Sequence, residues 1–454
     1  MGARLTDSGA FAHLWGTAEV RAVFDDRGRL QAWLDILVAL AQAQADLGII
    51  PSPATATIAA AARVDALDVD LLEAETRRTS HSTLGLIAAL RAALPEEAAE
   101  HVYYGATVQD VTDTWTALVL RSVGEVVWRD LRALEVALLD LARDHRSTVV
   151  SGRTHGQPGA PVTFGLKAAS WADEVRRHLE RLAQGRPRWL VGQLGGAVGT
   201  LGFFGEQGSR LRREFCARLG LADPEIPWLT SRDRLAEFGL LLAMVCSTLA
   251  RIGAEVYELQ RPEIGELREP AAPGTVGSIT MPHKRNPERS EHLDTLARLV
   301  RANAGVLLEG MVQVHERDGR GWKAEWAAFP EVCLLTSTAL ALALDLVRGL
   351  EVDAPAMAGN VAARGGYLSS EQVLGLLSAR LGKHRAQERL QQVLADGQRA
   401  GRSLAEAVAG AGLLSVAEVE AIVARPSLVT AEAAVDAVLD RAAKARAEEP
   451  ERWA

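Results

Sequence analysis

Apolar residues recur at three- and four-residue steps along most of this 454-residue chain, and the two-residue alternation expected of strands is scarce. Residues 29–48 (RLQAWLDILVALAQAQADLG) keep the helical period and stop at Gly48, shortly before Pro51. Residues 114–146 form a run of roughly 33 residues with one glycine and no proline, about 50 Å if helical at ~1.5 Å per residue. Comparable runs cover 162–184, 231–261, 288–314 and 330–350. A helix apolar around most of its circumference must be buried on several sides. The pattern therefore predicts an all-α protein built on a central long-helix bundle, with some apolar surface left to meet other copies of the chain. Shorter helices flank the bundle, so three helical domains are expected: 1–108, 109–350 and 351–454.

Composition narrows the class. A chain that is 48% hydrophobic and 24% charged is an ordinary globular one, long enough for two or three domains. Its net charge of −8, with no long basic run, argues against nucleic acid as a partner. An anionic substrate would then be drawn in by a local positive site. The first residues, MGARLTDSGAFAHLWG, lack the charged stretch and apolar run of a secretory signal. The apolar stretch Leu235 to Ala250 is broken by Glu237 and small polar residues, and reads as a buried helix instead of a membrane span. Cys216, Cys246 and Cys333 are far apart in apolar contexts, which suits reduced core residues in a cytoplasmic protein.

The densest chemistry lies in Gly277-Ser-Ile-Thr-Met-Pro-His-Lys-Arg-Asn-Pro287. Gly277 frees the backbone, while Pro282 and Pro287 keep a helix from absorbing the segment. The expected result is a mobile loop presenting Ser278 at one end and Lys284 with Asn286 at the other. A hydroxyl, a cation and an amide donor suit removal of a carbon-bound proton and stabilisation of the carbanion that remains. Elsewhere, Gly192-Gln-Leu-Gly-Gly-Ala-Val-Gly-Thr-Leu-Gly202 lacks the GK[ST] ending of a phosphate loop, and no strand precedes it. His315-Glu316 lacks the second histidine of a zinc helix, so neither metal nor cofactor is expected.

The loop resembles the GSxxMPxKxNP signature of the fumarase/aspartase superfamily, whose members cleave succinyl compounds by β-elimination and release fumarate. Two further segments resemble that family's other signatures, in family order: Gly105-Ala-Thr-Val-Gln-Asp-Val-Thr-Asp-Thr114 and Ser151-Gly-Arg-Thr-His-Gly-Gln-Pro158. The resemblance implies three helical domains, a central bundle assembled into a homotetramer, and active sites that draw segments from three subunits. It also implies a small dicarboxylate substrate and Ser278 as general base. His155 and His81, in Thr79-Ser-His-Ser-Thr83, become the candidate acids, since imidazole titrates near neutral pH. Lys284, Asn286, Thr107, Arg153, Thr154, Gln157 and Met281 become candidate substrate contacts, with Gln260 and Glu266 supporting the loop.

Within the superfamily the chain mixes two branches. Pro161–Lys167, Gly195–Thr200, Pro227-Trp228 with Arg232-Asp-Arg234, and His315-Glu-Arg317 followed by Gly321–Trp326 resemble 3-carboxy-cis,cis-muconate cycloisomerase. His155 and the Thr-Ser-His pattern at 79–81 look like adenylosuccinate lyase, but Trp322 and Trp326 replace the Arg/Ser-rich phosphate segment of that enzyme. Val108 departs from the serine usual in both. The expectation is a lyase that releases fumarate plus an amine or nitrite from a small succinate derivative. The alternatives are lactonisation and a non-catalytic structural homologue, which would tolerate loss of Ser278, Lys284, Asn286 or His155; all four are present.

Overall fold

The computed structural model describes residues 4–271, 274 and 276–453. Six helices come first: α1 (Ala18–Phe24), α2 (Asp26–Asp46), α3 (Ser52–Ala61), α4 (Val69–Thr79), α5 (Leu84–Ala92) and α6 (Glu96–Ala99). The 37-residue α7 (Val108–Asp144) follows, then a hairpin of β1 (Val149–Thr154) and β2 (Gln157–Thr163). The chain continues through α8 (Phe164–Trp189), α9 (Gly208–Arg218), α10 (Asp233–Leu259), β3 (Leu267–Arg268), α11 (Glu288–Glu309), α12 (Gly319–Arg348) and β4 (Glu351–Val352). It closes with α13 (Ala354–Ala362), α14 (Ser370–Leu381), α15 (Lys383–Arg399), α16 (Leu404–Gly410), α17 (Val416–Ala424) and α18 (Val429–Glu448). The all-α expectation holds. Both sheets among the described residues are two-stranded and antiparallel, β1 with β2 and β3 with β4.

The core of the bundle is made by α7, α8, α10, α11 and α12, whose apolar faces meet through residues such as Trp128, Trp171, Val245, Leu296 and Leu340. Two helices here, α10 and α12, are long and apolar enough to cross a membrane by length and composition. Their most apolar windows are 72% and 67% buried inside the bundle, so they are core helices in this fold. A second core joins α2, α3 and α5 to the start of α7 and to α9, and a third lies among α14 to α17. The last helix, α18, returns to the central bundle, and Trp453 after it is buried against α7 and α8. A Cβ on Gly124 would lie 2.2 Å from the Trp453 ring, so only glycine leaves the notch that the indole fills. The three cysteines are free and buried, and burial pushes the thiols of Cys216 and Cys246 up to about 12.

Candidate active site

One group of candidate residues gathers at the start of α7. The Thr107 N–H donates to Asp110 Oδ2 at 2.9 Å, closing the first turn of the helix. The same carboxylate accepts from Gly195 N–H (2.7 Å) and Gly196 N–H (3.1 Å), so the glycine-rich segment after α8 anchors the tip of α7. Burial raises the Asp110 carboxyl to about 7, against the pull of those three donors. Gln109 donates to Leu229 O at 2.6 Å and accepts from Arg317 Nε at 3.0 Å. His81 follows α4 after a left-handed Ser80 (φ 52°), with its Nδ1 3.4 Å from the Thr83 N–H. The Tyr103 hydroxyl lies beside both Thr83 and Thr107, and burial, with the nearby Asp110, raises its phenol well above the usual range. His81 and Thr107 therefore share one neighbourhood.

A second group sits on the hairpin. Thr154 pairs with Gln157, which leaves His155 and Gly156 as a two-residue loop with φ values of 53° and 74°. Positive φ at both positions is what the twist of a tight hairpin demands, and histidine tolerates it better than a β-branched residue would. Holding a non-glycine residue there costs roughly 1–3 kcal/mol, a strain typical of functional sites. The turn exposes Thr154, His155 and Gln157 at the tip. Arg153 is different. Its guanidinium donates to Glu266 at 2.9 and 2.7 Å, and the buried Glu266 also accepts from Asn360 Nδ2 at 2.8 Å. Arg153 thus ties the hairpin to the segment before β3.

The signature loop runs from β3 to α11. At its base Gln260 accepts from Glu269 N–H (2.7 Å) and donates to Arg285 O (3.2 Å), bridging the two ends of the loop. Glu269 accepts from the Ser290 N–H (2.7 Å) and hydroxyl (2.6 Å) and from Arg289 N–H (3.1 Å), capping α11. Within the loop, Ser278 Oγ accepts from Met281 N–H at 3.1 Å. Asn286 donates to Glu288 at 3.3 Å, while Lys284 is exposed and has no ion pair among the described residues. Ile279 is 92% exposed, an apolar side chain left for a closing contact.

One chain does not bring these groups together. At ~1.5 Å per residue α7 is about 55 Å long, with Thr107 at its start and the hairpin just past its end. The α10 rod separates the same two ends: Arg232 before it bonds Asp113 near the Thr107 group, and Glu266 after it bonds Arg153. His81 and Thr107 therefore lie at one end of the bundle, and the hairpin and signature loop at the other.

Sequence reasoning missed one feature of this region. Arg232 donates to Asp113 at 2.7 and 3.0 Å and to Glu325 at 2.6 Å, with all three residues at most 3% exposed. The pairing joins residues about a hundred positions apart, so no local spacing could announce it. Burial pulls the guanidinium down, but the two carboxylates outweigh it and leave Arg232 firmly protonated. Beside this cluster is a cavity of about 90 Å³ lined by Trp33, Trp115, Trp322, Trp326, Phe329 and Arg29, among others.

The comparisons agree with the geometry. Residues 16–302 match the protein family described as lyase. Over 386 residues the chain is 42% identical to an N-acetyl-S-(2-succino)cysteine lyase of Dickeya dadantii, covering 85% of each chain. It is also 42% identical to a 3-carboxy-cis,cis-muconate cycloisomerase of Pseudomonas aeruginosa, covering 83% of this chain and 82% of that one. Among solved structures, a 3-carboxy-cis,cis-muconate lactonizing enzyme from Pseudomonas putida superposes with a TM-score of 0.89 at 34% identity, over 96% of this chain and 99% of that one. With a family match across most of the bundle and relatives this similar over most of their length, the chain belongs to the fumarase/aspartase superfamily of lyases and is an enzyme of that group.

Proposed function

We propose that this enzyme releases fumarate from a succinate carrying a sulfur substituent on C2, an S-succinyl thioether of a small thiol. The observation that carries the reading is the signature loop. Its Ser278 hydroxyl already accepts a backbone N–H, which favours the oxyanion form a general base needs. In the reaction Ser278 takes a proton from C3, and the electron pair left behind forms the C2–C3 double bond. The C2–S bond breaks, and its electrons leave with sulfur. Lys284 and the Asn286 amide, released from Glu288, hold the carboxylate that takes up charge in the transition state. A thiol with a pKa near ~8.5 leaves readily as thiolate, so His155 has less protonation to supply than an amine would require. Thr107, Thr154, Gln157, Met281 and His81 contact the substrate, and Arg153 acts by holding the hairpin. The Dickeya dadantii relative, named for a succinylated thiol, favours sulfur over the amine or nitrite expected from sequence.

In this reading the enzyme is a homotetramer whose sites each combine opposite ends of different chains. Exposed apolar side chains along the bundle, among them Leu240, Met244, Leu299 and Val306, support that assembly. The second reading, lactonisation of a carboxymuconate, is favoured by the Pseudomonas relatives. A panel of S-succinyl thioethers, aspartate, adenylosuccinate, nitrosuccinate and carboxymuconate separates the two. Fumarate and free thiol in equal amounts, both lost in Ser278→Ala, are expected. Lactone from carboxymuconate with no fumarate from any substrate would overturn the proposal.

A further inference from the structure

The segment between α8 and α9 is firmly anchored but carries no candidate site residue. Its Gly195 and Gly196 N–H groups are bound to Asp110, and its Leu194 and Leu201 are buried. Phe203, at its end, is 64% exposed. The ring is nevertheless held in place. It lies edge-on to Tyr104 at 4.9 Å and to Phe204 at 5.2 Å. A Cβ on Gly105 would stand 2.6 Å from the Phe203 ring and 2.3 Å from that of Phe204, so both rings rest directly on glycine backbone. Gly105 is two residues before Thr107. Phe203, Tyr104 and Phe204 therefore form an aromatic ledge beside the Thr107 group, and a ring already held by its neighbours loses little freedom when it is covered.

The signature loop offers the complement. Val276, Ile279 and Met281 are all exposed, three apolar side chains within six residues. Single exposed apolar residues are ordinary, whereas a group of them marks a contact surface. The bond from the Met281 N–H to Ser278 Oγ folds a tight turn with Ile279 at its tip. This loop is at the far end of the bundle from Thr107, so Ile279 cannot reach Phe203 of its own chain. A site that combines Ser278 of one chain with Thr107 of another brings the two together, because Ile279 adjoins Ser278 and Phe203 packs on Gly105.

We propose that the aromatic ledge is the docking surface for the signature loop of a second copy of this chain, with Ile279 seated on the Phe203 ring. The inference rests on the shared-site reading above. Covering the two side chains removes apolar surface from water and fixes the loop over the substrate. Phe203 and Ile279 are then positioning residues: they touch no reacting atom but set where Ser278 stands when the C3 proton leaves.

Cysteine cross-linking tests the contact without any substrate, so its outcome is independent of the thioether reading. The native cysteines are buried, which leaves introduced surface thiols as the reactive ones. The Phe203→Cys/Ile279→Cys protein, treated with a short bismaleimide and run on a denaturing gel, should give covalent dimers and higher oligomers at about tenfold the level of either single variant. No gain over the single variants, in a protein that light scattering shows to be oligomeric, would overturn the ledge and leave the shared site untouched. A monomer by light scattering would remove both. Glu206→Cys, exposed on the same short turn, replaces Phe203→Cys if that variant does not fold. Positioning has its own readout in fumarate release, measured with the succinate that proves to be the substrate. Phe203→Ala should lower kcat about tenfold with KM within about twofold, and Phe203→Leu, which keeps an apolar seat, should recover most of the loss. An unchanged kcat in Phe203→Ala, or no recovery in Phe203→Leu, would overturn the role.

Discussion

Arg232→Met should make this protein's stability depend on pH in a way that the wild type's does not. Arg232, Asp113 and Glu325 are each at most 3% exposed, and the guanidinium makes two bonds to each carboxylate or more. Removing one partner of a buried ion pair costs about 3–5 kcal/mol, because the charge left behind is uncompensated. Here two carboxylates are left behind. Burial already raises the Glu325 carboxyl, and Arg232 is the group that opposes this. Without the guanidinium the pair must take up a proton on folding. A folded carboxyl raised above its unfolded value of ~4 contributes stability below that value and loses it as pH rises through the folded value. The penalty should therefore approach 4 kcal/mol at pH 8 and shrink by half or more at pH 5. Urea denaturation of both proteins at equal chain concentration, from pH 5 to pH 8, measures it. A penalty below about 1 kcal/mol, or one independent of pH, would refute the claim that the cluster holds ionised buried carboxylates.

The other predictions concern acid stability, the hairpin and the end of the chain. His178 is buried, its Nε2 2.8 Å from Thr248 Oγ1, and burial lowers its pKa to about 4. A base depressed on folding contributes fully above its unfolded value of ~6.5 and loses this as pH falls through the folded one. His178→Gln should therefore flatten the loss of stability between pH 6.5 and 4, worth about 3 kcal/mol in the wild type; an unchanged acid limb counts against it. Glu266→Gln removes the charge that clamps Arg153 and should lower kcat on the order of 100-fold through misplacement of the hairpin, with the fold intact by circular dichroism. Gly124→Val should cost about 1–3 kcal/mol and red-shift tryptophan emission as Trp453 leaves its notch.

The long helices were legible because each carries its own period. The expected 231–261 corresponds to α10 within the uncertainty of helix ends, while the expected 114–146 is α7, which begins six residues earlier, at Val108. The expected 330–350 is α12, which begins earlier, at Gly319; its first turns are rich in glycine and charge and carry little apolar period. The hairpin was not read as strands, because Ser151–Pro158 is short and rich in glycine and polar residues, and its register is set by the His155-Gly156 turn. Ser278, Lys284 and Asn286 were legible as a motif, since one loop holds them all. The commitment of Arg153 to Glu266, and of Arg232 to Asp113 and Glu325, was not. Those pairs span 113, 119 and 93 positions, and only the packed bundle brings them into contact.

The claim that the site is assembled from opposite ends of different chains can be tested by complementation. Ser278→Ala and His81→Ala chains, each inactive alone, are unfolded together, refolded as mixed oligomers and assayed for fumarate release from S-succinyl-N-acetylcysteine. A shared site takes Ser278 from one variant and His81 from the other, so the mixture should regain a substantial fraction of wild-type activity. No recovery from mixed oligomers of confirmed composition would place Ser278 and His81 in the same chain's site and contradict the account.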